Sequence, residues 1–175
     1  PTRRSSDLCF TDDGAPPPPA PWRRVPIGRP FLSPRDRNRA VKLFPHEFLP
    51  EHELTIYVDG NIELVGDLYA FAQWVQCAPE DVLVYEHPFR RSVFDEAAAC
   101  AHTGHDWWWR IDRQMAAYRA RGLPANAGLF EAGVIVRRNT PAMRTAMQRW
   151  WEEYSSGVRR DQLSLPLVAW QSGGV

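Results

Sequence analysis

Three short apolar runs constrain the fold most: Leu54-Thr55-Ile56-Tyr57-Val58, Val82-Leu83-Val84-Tyr85 and Gly133-Val134-Ile135-Val136. Rich in β-branched residues and nearly continuous in apolar character, they read as strands buried on both faces. The segments between them carry helix signals. Asp67 caps a helix through Gln76, and Ser92-Val93-Phe94-Asp95 has capping-box spacing and opens a helix through about Ala101. Residues 107–121 form another, Thr140-Pro141 starts one that reaches about Tyr154, and a last one begins near Asp161. Strands alternating with helices predict an α/β layered fold with a mostly parallel sheet, whose ligands sit at the carboxyl ends of the strands.

The N-terminal part is built differently. Eleven of the sixteen prolines fall in the first fifty residues, and Pro16-Pro17-Pro18-Pro19-Ala20-Pro21 holds the backbone in polyproline II. Short strands at Leu8-Cys9-Phe10-Thr11 and Val25-Pro26-Ile27 flank this loop, so a strand pair joined by irregular chain is expected. Ser33 as N-cap and Pro34 at the first helical position start a helix to about Phe44, which Pro45 and Pro50 close. Residues 1–7 lack periodicity and read as a tail, leaving one domain over 8–175 with a proline-rich loop at 15–21.

A chain of 175 residues with 44% hydrophobic content can bury one core. Its 21 basic and 21 acidic residues cancel, which excludes a nucleic-acid partner chosen by bulk charge. No apolar run is long enough to span a bilayer, so a soluble chain is expected, and the odd, widely spaced cysteines point to a cytoplasmic setting. Cys9, Cys77 and Cys100 match no zinc spacing and read as reduced thiols. Lys42 is the only lysine.

Polar residues gather where the strands stop. Asp59 and Asn61 flank Gly60 and read either as a turn that ends the strand or as oxygen ligands for a hard divalent cation. Glu86-His87, with Arg90-Arg91 close behind, reads as a solvated loop or as a group for metal, diphosphate or carboxylate. Glu131 stands immediately before the third strand among small residues, as a turn glutamate or as a ligand contact. Asp161 in Arg159-Arg160-Asp161-Gln162 is a helix cap or a functional acid, and Asp12-Asp13-Gly14 is a turn or a contact for ribose or base. Trp107-Trp108-Trp109 could offer a ring for stacking on a sugar but read first as core packing, as do Trp150-Trp151.

Taken in order, Cys9-Phe10-Thr11-Asp12-Asp13, Arg39-Ala40-Val41-Lys42-Leu43-Phe44-Pro45-His46, Ile56-Tyr57-Val58-Asp59-Gly60-Asn61, Glu86-His87-Pro88-Phe89-Arg90-Arg91-Ser92-Val93-Phe94-Asp95-Glu96 and Arg160-Asp161-Gln162-Leu163-Ser164 resemble a known family. It is the glycosyltransferase-like domain family long catalogued as a domain of unknown function, with plant Golgi proteins linked to mucilage polysaccharide and bacterial glycosyltransferase-domain proteins. The resemblance implies a GT-A type fold, a Rossmann-like three-layer sandwich. It also implies a nucleotide-diphosphate sugar donor, a glycan or other hydroxyl acceptor, a role in polysaccharide biosynthesis with peripheral association at the inner membrane face, and Mn²⁺ or Mg²⁺. The match begins at Leu8, so the first strand of a complete domain is expected to be missing and the end at Gly173-Gly174-Val175 to be clipped.

By the same resemblance Asp59 and Asn61 take the place of the Asp-x-Asp metal motif, with His87 as a further metal ligand. Lys42, Asp59, Arg90, Arg91, Gln162 and Asp12 would bind the sugar donor. Asp161, and second to it Glu131, would be the catalytic carboxylate that steadies the sugar or deprotonates the acceptor hydroxyl. A metal-dependent hydrolase using the same acidic and histidine cluster, or a non-catalytic nucleotide- or carbohydrate-binding module, are the alternative readings.

Overall fold

The computed structural model describes residues 7–173, so the tail read over residues 1–7 and the chain end at 174–175 lie almost wholly outside the described residues. In chain order the elements are β1 (Leu8–Thr11), β2 (Arg23–Pro26), α1 (Pro34–Leu43), α2 (Pro45–Phe48), β3 (Leu54–Val58), α3 (Leu68–Gln76), β4 (Val82–Glu86), α4 (Val93–His102), α5 (Trp108–Ala120), β5 (Phe130–Arg138), α6 (Pro141–Ser156) and α7 (Asp161–Gln171). The chain divides into two units, residues 1–44 and 45–175.

In the first unit β1 and β2 pair in parallel, Leu8 opposite Arg23 and Thr11 opposite Pro26. Arg24 Nε donates to Thr11 Oγ1 at 3.1 Å across this ladder. Helix α1 starts where Ser33 Oγ accepts the Asp36 N–H at 3.1 Å and donates to Asp36 Oδ2 at 2.8 Å. Such a reciprocal cap is worth about 1 kcal/mol.

The second unit carries a three-stranded sheet in the order β3-β5-β4. Here the expectation of a mostly parallel sheet is corrected, because β5 runs antiparallel to both neighbours. Two helices, α4 and α5, separate β4 from β5, and an even number of passes returns the chain to the end where β4 stopped. The His87 N–H therefore donates to the Leu129 carbonyl at 2.8 Å, joining the finish of β4 to the start of β5. An apolar, β-branched strand has the same composition in either direction, so the sequence carries no mark of this reversal. The expectation of burial on both faces is corrected as well, since β3 is half-buried throughout and β4 ends in exposed Tyr85 and Glu86. The mixed α/β composition itself stands.

Caps fix the helices as their sequences predict. Asp67 Oδ1 accepts from the Tyr69 and Ala70 N–H groups at 2.8 and 3.3 Å, Ser92 Oγ from Phe94 at 3.1 Å and Thr140 Oγ1 from Met143 at 3.1 Å. The core joins α4, α5 and α7 through Val93, Ala97, Cys100, Ile111, Met115, Tyr118, Leu163 and Leu167. Each of the larger apolar side chains contributes about 1.5–3 kcal/mol by leaving water. Trp150 is fully buried and donates Nε1–H to Ser164 Oγ at 3.0 Å, as its core reading requires. Trp107, Trp108 and Trp109 are 69%, 67% and 49% exposed, so their reading as core is corrected. Consecutive positions at the start of α5 point in different directions, and the buried stripe begins only at Ile111. No helix among the described residues is long and apolar enough to cross a membrane.

Candidate functional site

The reversal of β5 builds the site, since it brings the start of β5 to the carboxyl ends of β3 and β4. Asp59 follows β3 and donates its N–H to the Gly133 carbonyl at 2.8 Å. On the other side, the β4 register jumps from Val84 opposite Ile135 to Tyr85 opposite Glu131, passing over residues 132–134. A strand irregularity of this kind re-aims side chains. Glu131, read from sequence as preceding the strand, is inside it. A Cβ on Gly133 would stand 2.8 Å from Ile62 Cδ1 and 3.7 Å from Asp59 Oδ2, so a glycine keeps this end open.

Glu131 is gripped at both oxygens. His87 Nε2 lies 3.3 Å from Oε1, and Gln162 Nε2 donates to Oε2 at 2.9 Å. His87 Nδ1 accepts the N–H groups of Phe89 and Arg90 at 3.2 and 3.0 Å, which places the ring proton on Nε2, directed at Glu131. The Glu131 side chain remains 40% exposed while His87 beneath it is 5% exposed. Two donors occupy two of about four lone-pair positions, so the carboxylate is oriented and can still accept a substrate hydroxyl.

A second layer lies alongside. Glu96, 1% exposed, accepts Arg90 Nε at 2.6 Å on Oε2 and Arg160 Nε and Nη2 at 3.2 and 2.9 Å on Oε1. Burial pushes the Glu96 carboxyl up, but the hydrogen bonds from Arg160 and Arg90 outweigh it and hold the group below its ordinary value. Arg90 Nη2 also lies 3.3 Å from His87 Nε2. The segment before α7 and its first turn thus deliver Arg160 and Gln162 to the two acids. Asp161, between them, is 8% exposed and is the first-turn acid of α7, where it meets the positive end of the helix dipole. Pro166 lies inside α7 and has no N–H to return to the Gln162 carbonyl.

Of the residues singled out in the sequence, His87, Arg90, Glu131 and Gln162 are brought together, with Asp59 at the same end of the sheet. Arg91 instead pairs with Glu86 at 2.6 Å, both exposed. Asp12 and Lys42 belong to the first unit, where Asp12 pairs with Arg37 at 3.0 Å and Lys42 is buried in the last turn of α1. As a metal ligand His87 does not fit, because both ring nitrogens are committed. No group of three His, Cys, Asp or Glu side chains that could hold a metal ion occurs among the described residues. Asp59 accepts the Tyr57 hydroxyl at 2.7 Å on Oδ1 and is followed two positions on by the neutral Asn61 amide. This set fits a hard divalent ion in one mode, a single protein carboxylate with phosphate and water completing the shell.

The profile of the "TOD1/MUCI70, glycosyltransferase-like domain" family matches residues 20–173. The chain belongs to this family. Among TOD1/MUCI70 relatives it is similar to the "Probable hexosyltransferase MUCI70" of Arabidopsis thaliana, 28% identical over 159 residues, covering 84% of this chain and 27% of that protein. It is similar as well to the "Alkaline ceramidase TOD1" of Arabidopsis thaliana, 26% identical over 164 residues, covering 84% of this chain and 35% of that protein. The chain thus spans about a third of the length of these curated relatives. No solved structure is matched.

Glu96 and Arg160 were missed as site residues, although both stand in the motifs that carry the family resemblance. Glu96 had a readable signal: it falls on the stripe Val93, Glu96, Ala97, Cys100, whose other members are apolar and buried. An acid on a buried stripe requires a cationic partner. Arg160 had none, because its partner is 64 residues away in sequence.

Proposed function

We propose that the chain is a GT-A type glycosyltransferase domain that moves a hexosyl group from a nucleotide-diphosphate sugar to a hydroxyl of a glycan, in polysaccharide biosynthesis. The observation that carries this reading is the Glu131 carboxylate, held by His87 and Gln162 from two other elements yet open to solvent at the carboxyl ends of the strands. The family match, which crosses the boundary between the two units, and the hexosyltransferase relative support it, and the proposal takes both units as parts of one domain.

In this mechanism Glu131 is the catalytic carboxylate. Its remaining lone pairs accept the acceptor hydroxyl proton, or face the positive charge that develops at the anomeric carbon. His87 and Gln162 hold it in one rotamer, which spares the ordering cost at the moment of reaction. Asp161, nearly buried, serves the first turn of α7 and is second to Glu131, the reverse of the order read from sequence. Arg90 and Arg160, both held on Glu96 and the former 3.3 Å from His87, would offset charge on the departing diphosphate. Asp59 and Asn61 would hold Mn²⁺ or Mg²⁺, which supplies charge neutralisation on the diphosphate when bound.

The test is a product assay with a panel of nucleotide-hexoses, measuring nucleoside diphosphate with and without a hydroxyl acceptor. Acceptor-dependent release supports the transferase. The relative described as a ceramidase favours a second reading, in which Glu131 activates water. That reading predicts acceptor-independent turnover of an amide or ester substrate and no nucleoside diphosphate. Binding of a nucleotide sugar with no turnover would leave a binding module.

A further inference from the structure

Between α5 and the end of α6 lies a groove of about 380 Å³ whose walls include Trp109, Arg110, Arg113, Tyr118, Arg121 and Glu153. Its floor is internally satisfied: buried Gln114 accepts the Val158 N–H at 2.7 Å and donates to Tyr118 Oη at 2.7 Å. Two of its arginines are braced. Arg110 bonds Asp106 at 3.0 Å and the Gly157 carbonyl at 3.1 Å, and Arg121 bonds Glu153 at 2.5 Å and Gln171 at 3.2 Å.

Arg113 differs from both, since it makes no ion pair or hydrogen bond among the described residues. The indole N–H of Trp109 is likewise without a partner among them, and its ring is 49% exposed. Arg110, Arg113 and Arg121 against Asp106 and Glu153 leave three positive charges to two negative, an excess of one carried by Arg113.

We propose that this groove binds an acidic sugar unit of a glycan, its ring stacked on Trp109 and its carboxylate on Arg113. A volume of this size suits one or two sugar rings. The flat indole offers an apolar face with a hydrogen-bond donor at its edge, which suits a pyranose. The guanidinium fork matches a carboxylate bidentately, and a single excess charge suits a singly charged group better than a phosphate dianion. No lining residue takes part in the Glu131 cluster, so the inference stands independently of the transferase reading.

Titration calorimetry with tetramannuronate and with neutral mannotetraose tests it on the intact chain. The uronate is expected to bind about tenfold more tightly than the neutral sugar, and Arg113→Gln to erase that difference, a tenfold change corresponding to about 1.4 kcal/mol. Trp109→Ala should weaken both ligands, and added salt should weaken only the uronate. Both side chains are exposed, so the unfolding midpoint by circular dichroism should hold in each variant. Equal binding of the two sugars, no binding of either, or an unchanged uronate affinity in both variants would overturn the proposal.

Discussion

Gln162 Nε2 donates to Glu131 Oε2 at 2.9 Å, tying the first turn of α7 to the open end of β5 across 31 residues of sequence. With His87 on the other oxygen, this contact fixes the direction in which the carboxylate faces. Gln162→Ala should therefore lower kcat by about tenfold while leaving the unfolding midpoint within 2 °C, since only an ordering contact is lost. An equal loss of kcat in Gln162→Met, which keeps the side-chain volume without a donor, would show that the amide is what orients Glu131.

Acid should destabilise the chain in two stages. Burial lowers the His46 pKa from 6.5, against the opposing pull of Glu47 and with help from Arg144 and Arg137, so the unfolded chain binds that proton more readily and stability falls as pH drops through 6.5. Glu96, held below 4.5 once its bonds to Arg160 and Arg90 outweigh burial, adds stability above that value, which is lost as pH falls through its folded pKa. Urea midpoints across pH 3–8 should show the upper stage vanish in His46→Gln and the lower stage flatten in Glu96→Gln. An unchanged profile in both variants would refute the assignment.

Glu96→Ala should be costlier than Glu96→Gln. It leaves two guanidiniums without their shared acceptor, and with both partly exposed the loss is about 2–3 kcal/mol after allowing for solvent. Chemical denaturation of the two variants side by side gives the difference.

Gly133→Ala and Asp59→Ala together separate folding from function. The new methyl would meet the flexible end of Ile62 at 2.8 Å, and Ile62 is exposed enough to swing away, so the stability cost should stay within about 1 kcal/mol. The same methyl stands 3.7 Å from Asp59 Oδ2. That is an ordinary van der Waals distance, so nucleoside diphosphate affinity, measured by thermal shift with Mn²⁺, should hold in Gly133→Ala and fall about tenfold in Asp59→Ala, and an unchanged affinity in Asp59→Ala would remove Asp59 from the sugar-donor site.

Thiol labelling should be ordered by burial. Cys77 is exposed, whereas burial pushes the Cys100 thiol up to about 11, with Glu96 beside it. A maleimide at pH 7.5 should modify Cys77 within minutes and Cys100 only after denaturant is added, as read by peptide mass.

Much of this architecture was legible in the sequence because it is local. Ser33, Asp67, Ser92 and Thr140 all cap the helices whose starts they predict, since a cap needs only residues two or three places apart. The direction of β5 was not legible, because it depends on how many helices return the chain between β4 and β5. The same cause hid the site's second layer: Arg160 meets Glu96 only once α7 has docked. Trp107, Trp108 and Trp109 misled because aromatic content stands in for burial only when a helix presents one face to a core, and these three start α5 before its buried stripe begins.

The most direct test of the central claim is the rate of nucleoside diphosphate release from the best nucleotide-hexose, with acceptor present, for the wild-type chain and Glu131→Gln. The exchange keeps the shape and, through the amide oxygen, the contact to His87; a flip of the Gln162 amide restores the second contact, and the base is removed. The account predicts a fall in kcat of about 10²–10⁴ with the KM for the sugar donor within a few-fold of wild type. Release at the wild-type rate in Glu131→Gln would contradict it.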